Sequence, residues 1–177
     1  AAISGGDTVQ VSVDGGSSYS DVNDDVTGTA LSTSITLSGS SSIKVRVTDP
    51  AGNSGSVASQ AYTLDTTAPT QTYSGLDISA DTGTADDDFN TKTAAQTLTV
   101  TLSAAIASDD ILQTSIDDGS NWVNDDHATG DGTALSTSIT LSGSSTLHIR
   151  ITDDAGNSGT ATEQAYILDT TAPTITY

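Results

Sequence analysis

Residues 28–73 match residues 132–177 at a constant offset of 104 positions. The stretch GTALSTSITLSGSS occurs at 28–41 and again, letter for letter, at 132–145. IKVRVTDPAGNSG at 43–55 faces LHIRITDDAGNSG at 147–159, and LDTTAPT stands at both 64–70 and 168–174. Nearer the N-terminus the offset becomes 103, since DTVQVSVDGGSSY (7–19) faces DILQTSIDDGSNW (110–122). One residue has therefore been gained or lost in an intervening loop. A period this long is domain-sized, so each copy must bury its own core. The second copy is whole from about Thr67 to about Asp169, whereas Ala1 matches Ala104 and the first copy lacks a counterpart of 74–103. The expected organisation is an incomplete module over 1–66, a complete module over 67–170 and the start of a further repeat over 171–177. Such a chain reads as a window on a longer periodic protein.

Within each copy apolar residues alternate with polar ones, the pattern of half-buried strands. LTVTL places Leu98, Val100 and Leu102 on one face, and VQVSV does the same with Val9, Val11 and Val13. IKVRV is expected to bury Ile43, Val45 and Val47 and to turn Lys44 and Arg46 to water. No segment has helical spacing with caps. Clusters of Gly, Asn, Asp and Ser interrupt the strands at the intervals expected of a sandwich. Seven strands are expected in the complete copy, at 71–79, 96–104, 110–117, 121–124, 134–141, 146–152 and 160–168. The fold class is all-β, with two antiparallel sheets packed face to face.

Composition narrows the function. Four basic residues against 23 acidic ones leave a formal charge of −19, which argues against nucleic acid and anionic membranes as partners. There is no cysteine, so disulfides cannot staple the small aliphatic core. No apolar run is long enough for a transmembrane helix, and the N-terminus is not signal-like. Of the 23 acids only Glu163 is glutamate. Aspartate is the acid of turns, and its short carboxylate also suits oxygen cages for calcium.

The segments TDPAGNSG and TDDAGNSG, followed by AYTLDTTAPT and AYILDTTAPT, resemble the bacterial immunoglobulin-like repeats of giant adhesins exported by type I secretion. ISADTGTADDDFNT at 78–91 shares that resemblance, which extends over the whole chain. It implies tandem immunoglobulin-like sandwiches acting as extender modules of an RTX-type or biofilm adhesin. It further implies an extracellular, cell-surface location and calcium that stiffens loops and joints. The partners so implied are neighbouring repeats of the same polypeptide.

Calcium is expected at several aspartates. Asp65 and Asp169 end the final strand of each copy, where a carboxylate could meet acids of the next module. Asp81, Asp86, Asp87 and Asp88 lie within eight residues, beside Gly83. Their mutual repulsion would be relieved by a cation, although a solvated acidic loop has the same composition. Asp49 and Asp153 open the TDxAGN turns, for which a β-turn closed by an Asx hydrogen bond is the competing reading. Asp14 and Asp117 sit in SVDGGSSY and SIDDGSNW, which have the S-x-D-x-G-x-x-aromatic form of an Asp-box hairpin. Tyr19 and Trp122 are expected to pack on that hairpin rather than to offer a sugar platform.

Catalysis finds little support. His127 and His148 do not recur between the copies, His148 is expected to face outwards, and there is no nucleophile elbow. The expected role is that of a non-enzymatic, calcium-rigidified spacer. Two alternatives remain: a calcium-dependent carbohydrate-binding module, and a subunit of an extracellular filament held by strands donated between copies.

Overall fold

The chain forms two units, the first holding the counterpart of only part of the second. The computed structural model describes residues 3, 5–23, 26–125 and 132–175. The contacts divide the chain into Ala1–Thr66 and Thr67–Tyr177.

The first unit holds β1 (Thr8–Ser12), β2 (Ser20–Asp21), β3 (Val26–Thr27), β4 (Ala30–Leu31), β5 (Ser41–Thr48) and β6 (Ala58–Tyr62). Its main sheet runs β2-β1-β5-β6, all antiparallel, with Val9 opposite Val47 and Val11 opposite Val45. The pair β3-β4 is a separate two-stranded ribbon.

The second unit holds β7 (Tyr73–Ile78), β8 (Asn90–Thr91), β9 (Ala95–Leu102), β10 (Ile111–Ser115), β11 (Val123–Asp125), β12 (Ala134–Thr140), β13 (Ser145–Thr152) and β14 (Thr162–Leu168). Seven of these fall on the seven expected strands. β8 was not expected, because two residues are too short to show alternation. One sheet has the order β12-β9-β7 and the other β11-β10-β13-β14-β8. Every pairing is antiparallel except β14 with β8, which is parallel. Leu98, Val100 and Leu102 of β9 meet Leu147, Ile149 and Ile151 of β13 in one continuous core with Leu112, Leu135 and Tyr166. The fold is an all-β sandwich, as the alternation requires.

The repeat permits a residue-by-residue comparison of the two units. Leu147, Ile149 and Ile151 are wholly buried, whereas their counterparts Ile43 and Val45 are half-buried and Val47 is 37% exposed. The expectation that all three would be covered therefore fails for Val47. Ile139 is 8% exposed and Ile35, in the same sequence context, 41%. Residues 134–140 form β12 and pair with β9 along their whole length. In the first unit only Ala30 and Leu31 of the identical sequence are in a strand, and 32–38 are in none. A strand needs a partner for its backbone groups, and identical side chains do not supply one.

Lys44 and Arg46 also depart from the outward-facing expectation. Arg46 Nε donates to Gln10 Oε1 at 2.8 Å and its guanidinium lies 3.7 Å above the Tyr19 ring. Arg150 repeats the arrangement with Gln113 at 2.8 Å and Trp122 at 3.9 Å. Lys44 is half-buried and its stem lies along Gly16.

Gly159 shows how the start of the second unit is seated. Its N–H donates to Ile151 O at 2.8 Å, and a Cβ there would lie 2.6 Å from the carbonyl oxygen of Pro69. At the counterpart, Gly55, a Cβ would meet only Val47 O, at 3.6 Å. Gly159→Ala should therefore push backbone against backbone and lower stability by roughly 1–3 kcal/mol, while Gly55→Ala should be close to neutral. Thermal unfolding of the two variants checks this; equal effects would show that the Pro69 contact does not matter.

Candidate functional site

The acidic segment between β7 and β9 is held from beneath by buried polar side chains. Gln96, on β9, is 4% exposed. Its Oε1 accepts from Ala80 N at 2.8 Å and from Ser79 Oγ at 3.2 Å. Its Nε2 donates to Thr93 O at 2.8 Å and to Ala80 O at 3.2 Å. The Thr91 hydroxyl, also buried, donates to Ala80 O at 2.5 Å, and Thr82 Oγ1 accepts from Lys92 N at 2.9 Å. Both ends of the loop are thus tied to one place on β9.

Phe89 closes the loop. Its ring is buried in the core while its backbone takes a left-handed φ of 58°, a conformation costly for a bulky residue. Its N–H donates to Asp81 Oδ2 at 2.7 Å, and its carbonyl accepts from Ile167 N at 2.9 Å. One residue therefore links the carboxylate of Asp81 to β14. The other Asp81 oxygen, Oδ1, is buried and has no hydrogen-bond partner. A carboxylate oxygen in that condition is expensive unless a cation or a donor reaches it. Asp88 Oδ1 accepts from Asn90 N at 3.0 Å, and a Cβ on Gly83 would lie 3.0 Å from that oxygen. Asp86, Asp87 and Asp88 are exposed.

The structure does not draw the acids into a cage. Among the described residues, no three acidic or imidazole groups converge in a way that could hold a metal ion. A cation at Asp81 would have to take further oxygens from backbone carbonyls or water, both of which calcium accepts.

Asp14, Asp49, Asp117 and Asp153 sit in hydrogen-bonded turns. Asp153 Oδ1 accepts from Asn157 N at 2.7 Å and Oδ2 from Asn157 Nδ2 at 2.8 Å. Asp49 and Asn53 repeat the pincer, both at 2.8 Å. The glycine before each Asn takes the left-handed conformation that closes the turn, φ 91° at Gly156 and 89° at Gly52. Asp117 accepts from Ser115 Oγ at 2.8 Å, Asn121 N at 2.8 Å and Asn121 Nδ2 at 2.6 Å. Asp14 accepts from Ser12 Oγ at 2.7 Å, Ser18 N at 3.0 Å and Ser18 Oγ at 2.5 Å. A cation at any of these four would have to compete with the donors of the turn itself. Asp169 Oδ1 accepts from Thr171 N at 2.8 Å, and Asp65 is exposed.

His148 does not face open water. Its side chain is 14% exposed and lies 3.2 Å from Asp118 and 3.9 Å from Glu163, with its ring edge towards Trp122. Trp122 carries Arg150 on one face, so that face is not free to stack on a sugar. His127 lies outside the described residues. Gln96, Thr91 and the strained Phe89 escaped the sequence reading. The only local hint was a glutamine at an inward-facing position of an otherwise aliphatic strand.

No protein-family model matches this chain, and no curated protein matches it. Among solved structures it is similar to a crystal structure of a tetra-tandem repeat in the extending region of a large adhesion protein. The identity is 20% and the TM-score 0.33, with 93% of this chain and 42% of that chain covered.

Hydrogen bonds within the turns lower the pKa values of four carboxylates. The Asn121 side-chain amide, then its N–H and the Ser115 hydroxyl, hold Asp117 down at about 2 from an ordinary 3.8. The Ser18 hydroxyl and N–H, with Ser12, hold Asp14 well below the carboxylate range. The Asn53 and Asn157 side-chain amides lower Asp49 and Asp153 in the same direction. A carboxyl depressed on folding contributes stability that is present above its unfolded pKa and lost as the pH falls through its folded one. The gap in melting temperature between wild type and Asp117→Asn should therefore be full above about pH 5 and close between about pH 4 and 2. Calorimetry across that range tests it; a pH-independent gap would rule out the charge as the cause.

Proposed function

We propose that this chain supplies extender modules of a secreted bacterial surface adhesin or filament, stiffened by calcium in loops and at the joints between modules. The observation that carries this reading is the repeat itself. A domain-sized pattern recurs with its hairpin, its Asp–Asn turn and its extended LDTTAPT segment, as a string of spacers requires. The strand order supports an immunoglobulin-like module: a three-stranded sheet faces a five-stranded one, and the latter ends in a short parallel pairing with the last strand. The proline in each LDTTAPT holds the chain extended, which suits a passage between modules.

Asp81 is the aspartate best placed to take calcium, because one of its oxygens is buried without a partner. Asp86, Asp87 and Asp88 supply further carboxylates in the same loop, and Asp65 and Asp169 are the corresponding candidates at the joints. Extracellular modules bind calcium weakly, and one site of that affinity at about millimolar calcium stabilises the folded state by about 0.4–1.4 kcal/mol. The role is mechanical, and no chemical step is assigned to it.

Melting temperature should rise by several degrees between excess chelator and millimolar calcium, with magnesium doing less. Asp81→Asn should remove much of that rise and leave the melting temperature in chelator nearly unchanged. Identical curves for the wild type in chelator and in calcium would refute the calcium part of the proposal.

A further inference from the structure

The two copies differ in charge chemistry at one place on the outer face of the sheet. In the first copy it is Lys44, with Ser59 directly across the strand pair. In the second it is His148, and across from it stands Glu163, the single glutamate of the chain. The hairpin position that is Gly15 in the first copy is Asp118 in the second. A permanent cation with no carboxylate at these two positions has become a titratable ring with a carboxylate at both.

The two carboxylates approach opposite nitrogens of the ring. Nε2 of His148 lies 3.2 Å from Asp118 Oδ1, and Nδ1 lies 3.9 Å from Glu163 Oε2. A neutral imidazole carries one N–H and one lone pair, so it must turn the lone pair to one of these oxygens. Only the imidazolium presents a proton to both. The ring is 14% exposed and meets Trp122 edge-on, at 6.2 Å between centroids. Asp118 also holds a left-handed φ of 60°, which Gly15 adopts (φ 76°) without penalty. An aspartate kept at a place suited to glycine is intelligible if its carboxylate is used there. The other charged groups on the packed elements are engaged elsewhere. Arg150, two residues along β13, lies on Trp122 with its Nε on Gln113, and Asp117 is taken up by Ser115 and Asn121. β10, which sets Ser115 opposite His148, has no charged side chain.

We propose that His148 is a proton-controlled clasp: protonated, it ties the β10–β11 hairpin through Asp118 and β14 through Glu163 to β13, and it lets go of them when the ring loses its proton. Histidine is the side chain that changes charge between about pH 5 and 8. The contribution belongs to the protonated ring, so it is present at the acid end of that range and lost as the pH rises. This is the opposite sign to the turn carboxylates, and a different pH range. Both carboxylates are 74% exposed, so the effect is that of a partly screened pair.

The test is thermal unfolding of the full chain at intervals from pH 5.5 to 8, in excess chelator so that calcium plays no part. Trp122, the single tryptophan of the chain, reports the second unit by fluorescence. The wild type should melt above His148→Gln by about 2–5 °C at pH 5.5, and the gap should close by pH 8. In the Asp118→Asn, Glu163→Gln background, His148→Gln should make no pH-dependent difference. His148→Lys, which restores the residue of the first copy, should keep its advantage over His148→Gln at both ends of the range. A gap that is the same at every pH would mean that the ring only packs on Trp122, and would overturn the proposal. So would no gap at any pH, a gap that widens towards pH 8, or one that survives loss of both carboxylates.

Discussion

The ladder between β9 and β12 closes the second unit. It runs from Ala134 opposite Thr101 to Thr140 opposite Ala95. It sets Leu98, Val100 and Leu102 across from the fully buried side chains of β13. β9 also carries Gln96, which anchors the acidic loop, and pairs on its other edge with β7. Core, loop and sheet closure thus depend on one strand. In the first unit that ladder is absent, the counterparts Ile43, Val45 and Val47 are partly exposed, and residues 32–38 of the identical segment are in no strand.

The acidic loop is where local rules give way. A phenylalanine in the left-handed region, a buried glutamine and a buried carboxylate oxygen without a partner occur together within residues 79–96. Each is costly in isolation. Their company is intelligible if the loop must hold Asp81 at a fixed place and angle. Asp14, Asp49, Asp117 and Asp153 do ordinary turn work, and their lowered pKa values follow from donors two to four residues away.

Much of this was legible in the chain. Alternation over LTVTL, SITL and LHIRI gave the strands, because a sheet with one buried face imposes a period of two. The Asp–Asn turns and the Asp-box hairpins were legible because their hydrogen bonds close within five residues. Lys44 and Arg46, expected to point to water, and His148, at an outward position, are partly covered for a simple reason. Alternation says which side of a sheet a residue occupies, and says nothing of an aromatic ring or a second carboxylate waiting on that side. β8 was invisible because a two-residue strand has no period. Gln96 went unnoticed because its partners Ser79, Ala80, Thr91 and Thr93 belong to the loop and meet it only in the folded chain.

The sequence alone determined the all-β class, the repeat, the position of the long strands and the turns, since each depends on residues close together in the chain. The tertiary structure supplied ALSTSITL at 134–141 with its partner strand, β9. It also decided which valines and isoleucines are dry and which aspartate is left with an oxygen unsatisfied. These outcomes turn on contacts between segments far apart in sequence. A strand's hydrogen bonds and a core residue's cover come from other segments, and no pattern within the strand itself records whether they are there.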